Sequence, residues 1–239
     1  MKTIVISQPM FFPWVGIFEQ IRLSDIYVHF DDVQLPQGRS FINRVQIKAP
    51  QGSLWLTVPI RRQRHCPINQ VITDNKQEWR RKHLKTLEQL YCKAHFFDDM
   101  MKIAKETYRL QTDRLSQINI FAIESICSYF GIGKEYALSS NLSSKLKKNE
   151  HLLELIKRFG CNRYITGHGA KNYLDYNLFE KNNVSVEYID YKKKAYPQLY
   201  GKFNPHVTIL DLIANCGKKG VEFICSSTVE WKEFLEESK

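Results

Sequence analysis

The chain has 239 residues, 35 Lys and Arg against 25 Asp and Glu, and a net charge of +10. At 43% hydrophobic and 13% aromatic it can bury a core, which excludes a disordered or low-complexity protein. No apolar run approaches the ~20 residues of a membrane span, and the start, MKTIVISQPMFFPWVG, lacks the basic region and cleavage site of a signal peptide, so a soluble cytoplasmic protein is expected.

Residues 3–7, TIVIS, form a β-branched run that Gln8-Pro9 terminates. A loop, FFPWVG, leads to an amphipathic helix at about 17–24 and a second strand, IYVHF, at 26–30. Strand, helix and strand within so short a span predict a βαβ unit and a parallel sheet. Two extended segments at 41–48 and 53–60, joined by Ala49-Pro50-Gln51-Gly52, read as an inserted β-hairpin. Apolar residues at helical spacing then predict helices over 76–93, 95–111 and 113–131. Alternation returns with a strand near 136–138, a helix at 144–159, a strand at 163–167 and another at 184–189. A final helix is predicted from Thr208 to just before Gly217. The expected class is α/β: one domain over 1–239, with a largely parallel sheet, flanking helices, the hairpin insert and a helical middle at about 76–131.

Cysteines 66, 92, 127, 161, 216 and 225 show no Cys-x-x-Cys pair, and the seven histidines form no metal motif. Reduced, mostly buried thiols, no metal and no tightly bound cofactor are expected. The basic clusters Arg61-Arg62-Gln63-Arg64, Arg80-Arg81-Lys82, Lys145-Leu146-Lys147-Lys148 and Lys192-Lys193-Lys194 suit either a solvated surface or phosphate recognition.

The candidate site gathers at strand ends. The loop after the first strand would carry Gln8, Trp14 to stack on a base or sugar ring, and Gly16 to admit a phosphate to the backbone. Asp31 is a candidate base and Asp32 and Gln34 are candidate ligands of a sugar, with a strand-end cap as the structural alternative. Arg44, beside Asn43 and after Arg39, offers a fork for a diphosphate or carboxylate. His83, with Tyr91 two turns on, is the second candidate base. Ser139 and Ser140 are a hydroxyl pair for an N-cap or a phosphate, and Tyr196 and Gln198 belong to a segment able to close over a substrate. Asp211 suits a first helical turn equally well. Neither a P-loop nor a Gly-x-Gly-x-x-Gly dinucleotide site is present, and no nucleophile elbow occurs.

The segment QPMFFPWVGIFEQIRLSDIYVHFDDVQL, with FINRVQIK, WLTVPI, YITGHGAKNYL and YPQLYGKFNPHVTILDLI, resembles the WbqC-like protein family over almost the whole chain. The resemblance implies association with bacterial surface-polysaccharide (O-antigen or capsule) gene clusters and a role in modifying an amino sugar. One departure is His168, where the family pattern Ser-Gly-Pro-Ala leads one to expect proline, which counts against His168 as a residue of a chemistry shared across the family. The expected activity is transfer of an acyl or aminoacyl group to the amine of a nucleotide-linked sugar. The donor is open: an acyl thioester, an acidic carrier protein, ATP with an amino acid, or a charged tRNA. Two alternatives stand beside it. One is an ATP-dependent nucleotidyltransferase or ligase, against which the missing His-x-Gly-His pair counts. The other is a non-catalytic nucleic-acid-binding protein, for which no fold signature is present.

Overall fold

The computed structural model describes residues 1–61, 65–142 and 144–237, so Arg62, Gln63 and Arg64 of the first basic cluster lie outside the described residues. Strand β1 (Thr3–Ser7) is buried almost throughout, as expected of a strand covered on both faces. Helix α1 (Val15–Leu23) follows Trp14 and delivers the chain to β2 (Ile26–His29), parallel to β1. Strands β3 (Arg44–Ala49) and β4 (Gly52–Thr57) form the hairpin insert, paired from Arg44 with Thr57 to Ala49 with Gly52. Gly52 has φ +117°, a conformation other residues rarely adopt, so the turn needs glycine there. A second, minimal hairpin, β5 (Ile60–Arg61) with β6 (Ile72–Thr73), escapes sequence reading because two-residue strands carry no periodicity.

The helical middle is α2 (Trp79–Tyr91), α3 (Phe97–Tyr108) and α4 (Leu115–Phe130), close to the predicted spans. Gly131, at φ +70°, stops α4 as a left-handed cap, and the N–H of Ile132 returns to the Cys127 carbonyl. Then come β7 (Glu135–Leu138), α5 (Lys148–Arg158), β8 (Arg163–Thr166), α6 (Tyr176–Lys181) and β9 (Ser185–Asp190). Thr208 caps α7 (Ile209–Cys216) by accepting from the Leu210 N–H. The chain described here does not end its regular structure there: β10 (Ser227–Glu230) and α8 (Trp231–Glu237) follow.

The sheet runs in the order β10-β9-β8-β1-β2-β7, parallel except for the antiparallel edge strand β10. The fold is therefore α/β, as the sequence pattern implies. Side chains alternate across β1: Val5 packs with Ile17 and Phe18 of α1 and with α4 and α7, whereas Ile4 and Ile6 pack with Leu152 and Leu155 of α5 and Phe179 of α6. Burying each such side chain stabilises the fold by roughly 1.5–3 kcal/mol. From β1 the chain moves outward through β2 to β7 with α1 and α4 on one face. It then returns to the other side of β1 and continues through β8 to β9 with α5 and α6 on the opposite face. The winding reverses between β1 and β8. In open α/β sheets the crevice beyond the carboxyl ends of the two strands at such a point is where ligands bind.

His83 belongs to the packing of the helical middle. It is 6% exposed, its Nδ1 lies 3.2 Å from the Tyr108 hydroxyl, and its Nε2 donates to the Thr57 carbonyl at 3.1 Å. It joins α2 to the hairpin insert and lines neither cleft described below, which corrects its expected role as the base. Burial lowers its pKa from 6.5 to about 4. The unfolded chain thus takes up this proton first, and stability present above pH 6.5 drains away as the pH falls toward 4. The full span corresponds to roughly 3 kcal/mol. Chemical unfolding of wild type and His83→Asn at pH 7 and pH 4.5 should show a shallower pH slope in the variant; equal slopes would exclude this account.

Candidate functional site

A cleft of about 790 Å³ opens where the winding reverses. Ser7 and Gln8 at the end of β1, Thr166 and Gly167 at the end of β8, and Tyr191 just after β9 supply its floor, while Trp14 and Gln20 of the α1 side and Lys148 and Leu152 of α5 form opposite walls. Gln8 and Trp14 are thus brought together as expected.

Trp14 is partly exposed, with its ring 4.8 Å from that of Tyr191 and 5.6 Å from that of His206. The indole also lies over Gly16: a Cβ there would stand 2.3 Å from the ring. The glycine makes room for the tryptophan and not for a phosphate, which corrects the reading of Gly16 as a phosphate-admitting residue. Gln20, 4% exposed, donates from Nε2 to the Tyr191 hydroxyl at 2.7 Å and fixes that ring against the shelf. Burial raises the Tyr191 pKa, so its hydroxyl stays protonated at neutral pH.

His168 enters from the segment after β8. Its Nε2 lies 2.6 Å from the Ile189 carbonyl, and a carbonyl can only accept, so Nε2 carries the proton and Nδ1 keeps its lone pair in the neutral ring. The ring packs against Tyr191 at 4.9 Å and Phe234 at 4.7 Å. His206 is exposed on the rim, its pKa lowered by partial desolvation and by Lys193. Lys148 and Lys193 are the cations of the cleft, and no carboxylate appears among its described lining residues. Sequence reasoning set His168 aside as a departure from the family pattern, named Lys193 only as part of a basic cluster and missed Tyr191; the signal available was that each parallel strand delivers its next residues to the same edge.

The other expected residues lie elsewhere. Asp31, 3% exposed, accepts from the Ser139 hydroxyl at 3.1 Å, the Ser140 N–H at 3.0 Å and the Ser140 hydroxyl at 2.9 Å. The Ser139 hydroxyl has one proton and is also 2.5 Å from Asp32, whose other oxygen lies 3.6 Å from His151 Nε2. This cluster ties the ends of neighbouring strands β2 and β7. Asp31 and Ser140 border a second cleft, of about 650 Å³, with Asn69, Gln70 and the start of α4. Asp31 therefore does not face the first cleft, and neither does Asp32.

Gln34 is exposed and meets His65 at 3.4 Å, and the Arg44 guanidinium lies 3.8 Å over the Trp55 ring on the hairpin. Neither reaches the first cleft. Tyr196 and Gln198 are inward-facing. Gln198 accepts from the Lys48 ammonium at 2.9 Å, and that ammonium also donates to the carbonyls of Gly201 and Lys202. Tyr91 donates to Asp211 at 2.9 Å, and its own oxygen accepts from the Lys48 N–H. Asp211 is fully buried, which raises its pKa to about 6 against the opposing pull of Tyr91, Tyr196 and Lys48. These residues clamp the irregular segment after β9 to the hairpin and α7. They form a structural network and not a closing lid.

All six thiols are free, with Cys92 and Cys225 exposed. Among the described residues no three His, Cys, Asp or Glu converge as a metal site, and no helix is long and apolar enough to cross a membrane.

The family model of the WbqC-like protein family matches residues 8–223, a span that holds the first cleft except for Ile6, Ser7 and the Phe234 support. The chain belongs to the WbqC-like protein family. It is also similar to an uncharacterized protein of Mycobacterium tuberculosis, 32% identical over 228 residues, covering 94% of this chain and 98% of that protein. No solved structure matches.

Proposed function

We propose that this WbqC-like protein is a transferase of surface-polysaccharide assembly that moves an acyl or aminoacyl group onto the amine of a nucleotide-linked sugar. The observation that carries the reading is the make-up of the first cleft: an indole shelf, two lysines and two imidazoles at the reversal point of a parallel sheet, with no carboxylate among the described lining residues. Its volume of about 790 Å³ falls in the range of small-molecule sites. The Trp14 shelf suits a base or sugar ring, and Lys148 and Lys193 suit a diphosphate.

His168 supplies the base. Its Nδ1 takes the proton of the sugar amine as nitrogen attacks the donor's carbonyl carbon, the C–N bond forms, and the proton passes to the departing thiolate or alkoxide as the carbon–sulfur or carbon–oxygen bond breaks. No covalent enzyme intermediate is required. The surface-polysaccharide setting and the amino-sugar acceptor come from the family resemblance; the cleft's lining supports a ring and a diphosphate as parts of that acceptor.

The test is mass spectrometry of the purified protein with amino- and hydroxyl-bearing nucleotide sugars, each paired with acyl-CoAs, amino acids with ATP and Mg²⁺, or charged tRNA. A mass gain confined to the amino sugar supports the reading; release of AMP or pyrophosphate without acylation would replace it with a ligase or nucleotidyltransferase. Trp14→Ala should weaken nucleotide-sugar binding by roughly 5- to 100-fold in calorimetric titration, the value of one lost stacking contact. The melting temperature should change little, since the indole is partly exposed. A variant that unfolds would make the loop part of the core and displace the site.

A further inference from the structure

The first cleft straddles the edge of the sheet, and its two sides differ in chemistry. On the side of α1 stand Trp14, Gln20, Tyr191, Lys193 and His206, the polar and stacking groups. On the side of α5 the lining is Ile6, Phe30, Leu152, Tyr164 and Ala170, which belong to or pack against the hydrophobic cluster on that face of β1. Tyr173 also lines the cleft and is 57% exposed, a large ring left in water at the rim. The Tyr164 hydroxyl lies 3.3 Å from Thr166 Oγ1, and burial raises its pKa, so it stays neutral. Lys148 is the one charged residue among those described on this wall. The carboxylate of Asp32, two residues beyond Phe30, is turned instead to the Ser139 hydroxyl and His151.

His168 stands between the two sides: its ring meets Tyr191 on the first and Phe234 of the α5-side cluster on the second. We infer that the α5 wall holds the group being transferred, and that this group is an uncharged aliphatic acyl chain and not an aminoacyl group. The inference rests on the transferase reading and narrows its donor. An acyl chain moving from water onto this wall gains with every methylene it buries. The α-ammonium of an aminoacyl group would instead be desolvated beside Lys148, with no carboxylate among the described lining residues to pair with it.

Product-like ligands test this without turnover and without a donor. UDP-glucosamine carrying an N-acetyl, N-propionyl, N-butyryl or N-glycyl group is titrated calorimetrically into the full-length protein at pH 7. Affinity should rise roughly two- to fourfold per methylene from acetyl to butyryl. The glycyl ligand, isosteric with the propionyl one, should bind at least about tenfold more weakly. That gap should close toward pH 9, as the glycyl amine, with a pKa of about 8, loses its proton. Tyr173→Ala should flatten the chain-length series, and a series unchanged by it would move the chain off this wall. Equal or tighter binding of the glycyl ligand, or a flat series in the wild type, would overturn the inference while nucleotide-sugar binding stands. If none of the four ligands binds, the nucleotide-sugar reading of the cleft fails and the inference falls with it.

Discussion

His168→Ala is expected to lower kcat for sugar acylation by about 10²- to 10⁴-fold, the usual contribution of a positioned base, with a much smaller change in KM. The measurement is steady-state kinetics with the donor and acceptor found by mass spectrometry. His168→Gln, whose side-chain amide can donate to a carbonyl but cannot take up a proton, should lose as much. A merely structural imidazole would lower the amount of folded protein and be rescued by glutamine. Retention of a third or more of wild-type kcat would remove His168 from the chemistry and shift attention to His206, the other imidazole of the cleft.

Lys48→Met should cost roughly 3 kcal/mol of unfolding free energy, measured by denaturant titration at pH 7.5. Lys48 is 3% exposed and its ammonium holds Gln198 and the carbonyls of Gly201 and Lys202, so methionine removes the shared donor of three part-buried bonds, of whose acceptors Gln198 Oε1 keeps the Asn204 N–H. The Asp211 carboxyl, already raised to about 6, loses a cation that pulls it down and rises further. A raised carboxyl contributes stability at low pH that is lost as the pH climbs through its folded pKa, so the deficit should be smaller at pH 5 than at pH 7.5. Limited proteolysis should meanwhile cut more readily between residues 192 and 205. A change under about 0.5 kcal/mol would mean that water replaces the ammonium without penalty.

Much of the architecture is legible from residue order. The β-branched run before Gln8-Pro9, the alternation at 163–167 and 184–189, and the long helical periodicities each specify an element by themselves. What escapes is short or polar. Ser227–Glu230 has only four residues, with Thr228 and Val229 as its β-formers, and the seven-residue helix after it spans under two turns, so neither pattern accumulates. The site divides on different grounds. Gln8 and Trp14 lie beside their own strand, and a strand-end argument finds them. His168 and Tyr191 reach the same cleft from strands far along the chain, and only the sheet order reveals that β8 sits beside β1. Conversely, Asp31, Ser139, Tyr196 and Gln198 carry chemically versatile groups whose roles depend on what they face. Three-dimensional packing spends them on one another.

Phe234 comes from the last helix of the described chain, yet its ring stacks on Tyr188 at 4.1 Å and lies against His168 at 4.7 Å. The imidazole is therefore held by a segment that leaves the ribosome more than sixty residues after it does. On the reading proposed here, a nascent chain can complete β1, β8 and the nucleotide cleft while its base is still unsupported on one side. Acceptor recognition would mature before turnover during synthesis, and a frameshift or proteolytic nick near residue 230 would leave a protein that captures nucleotide sugar without modifying it.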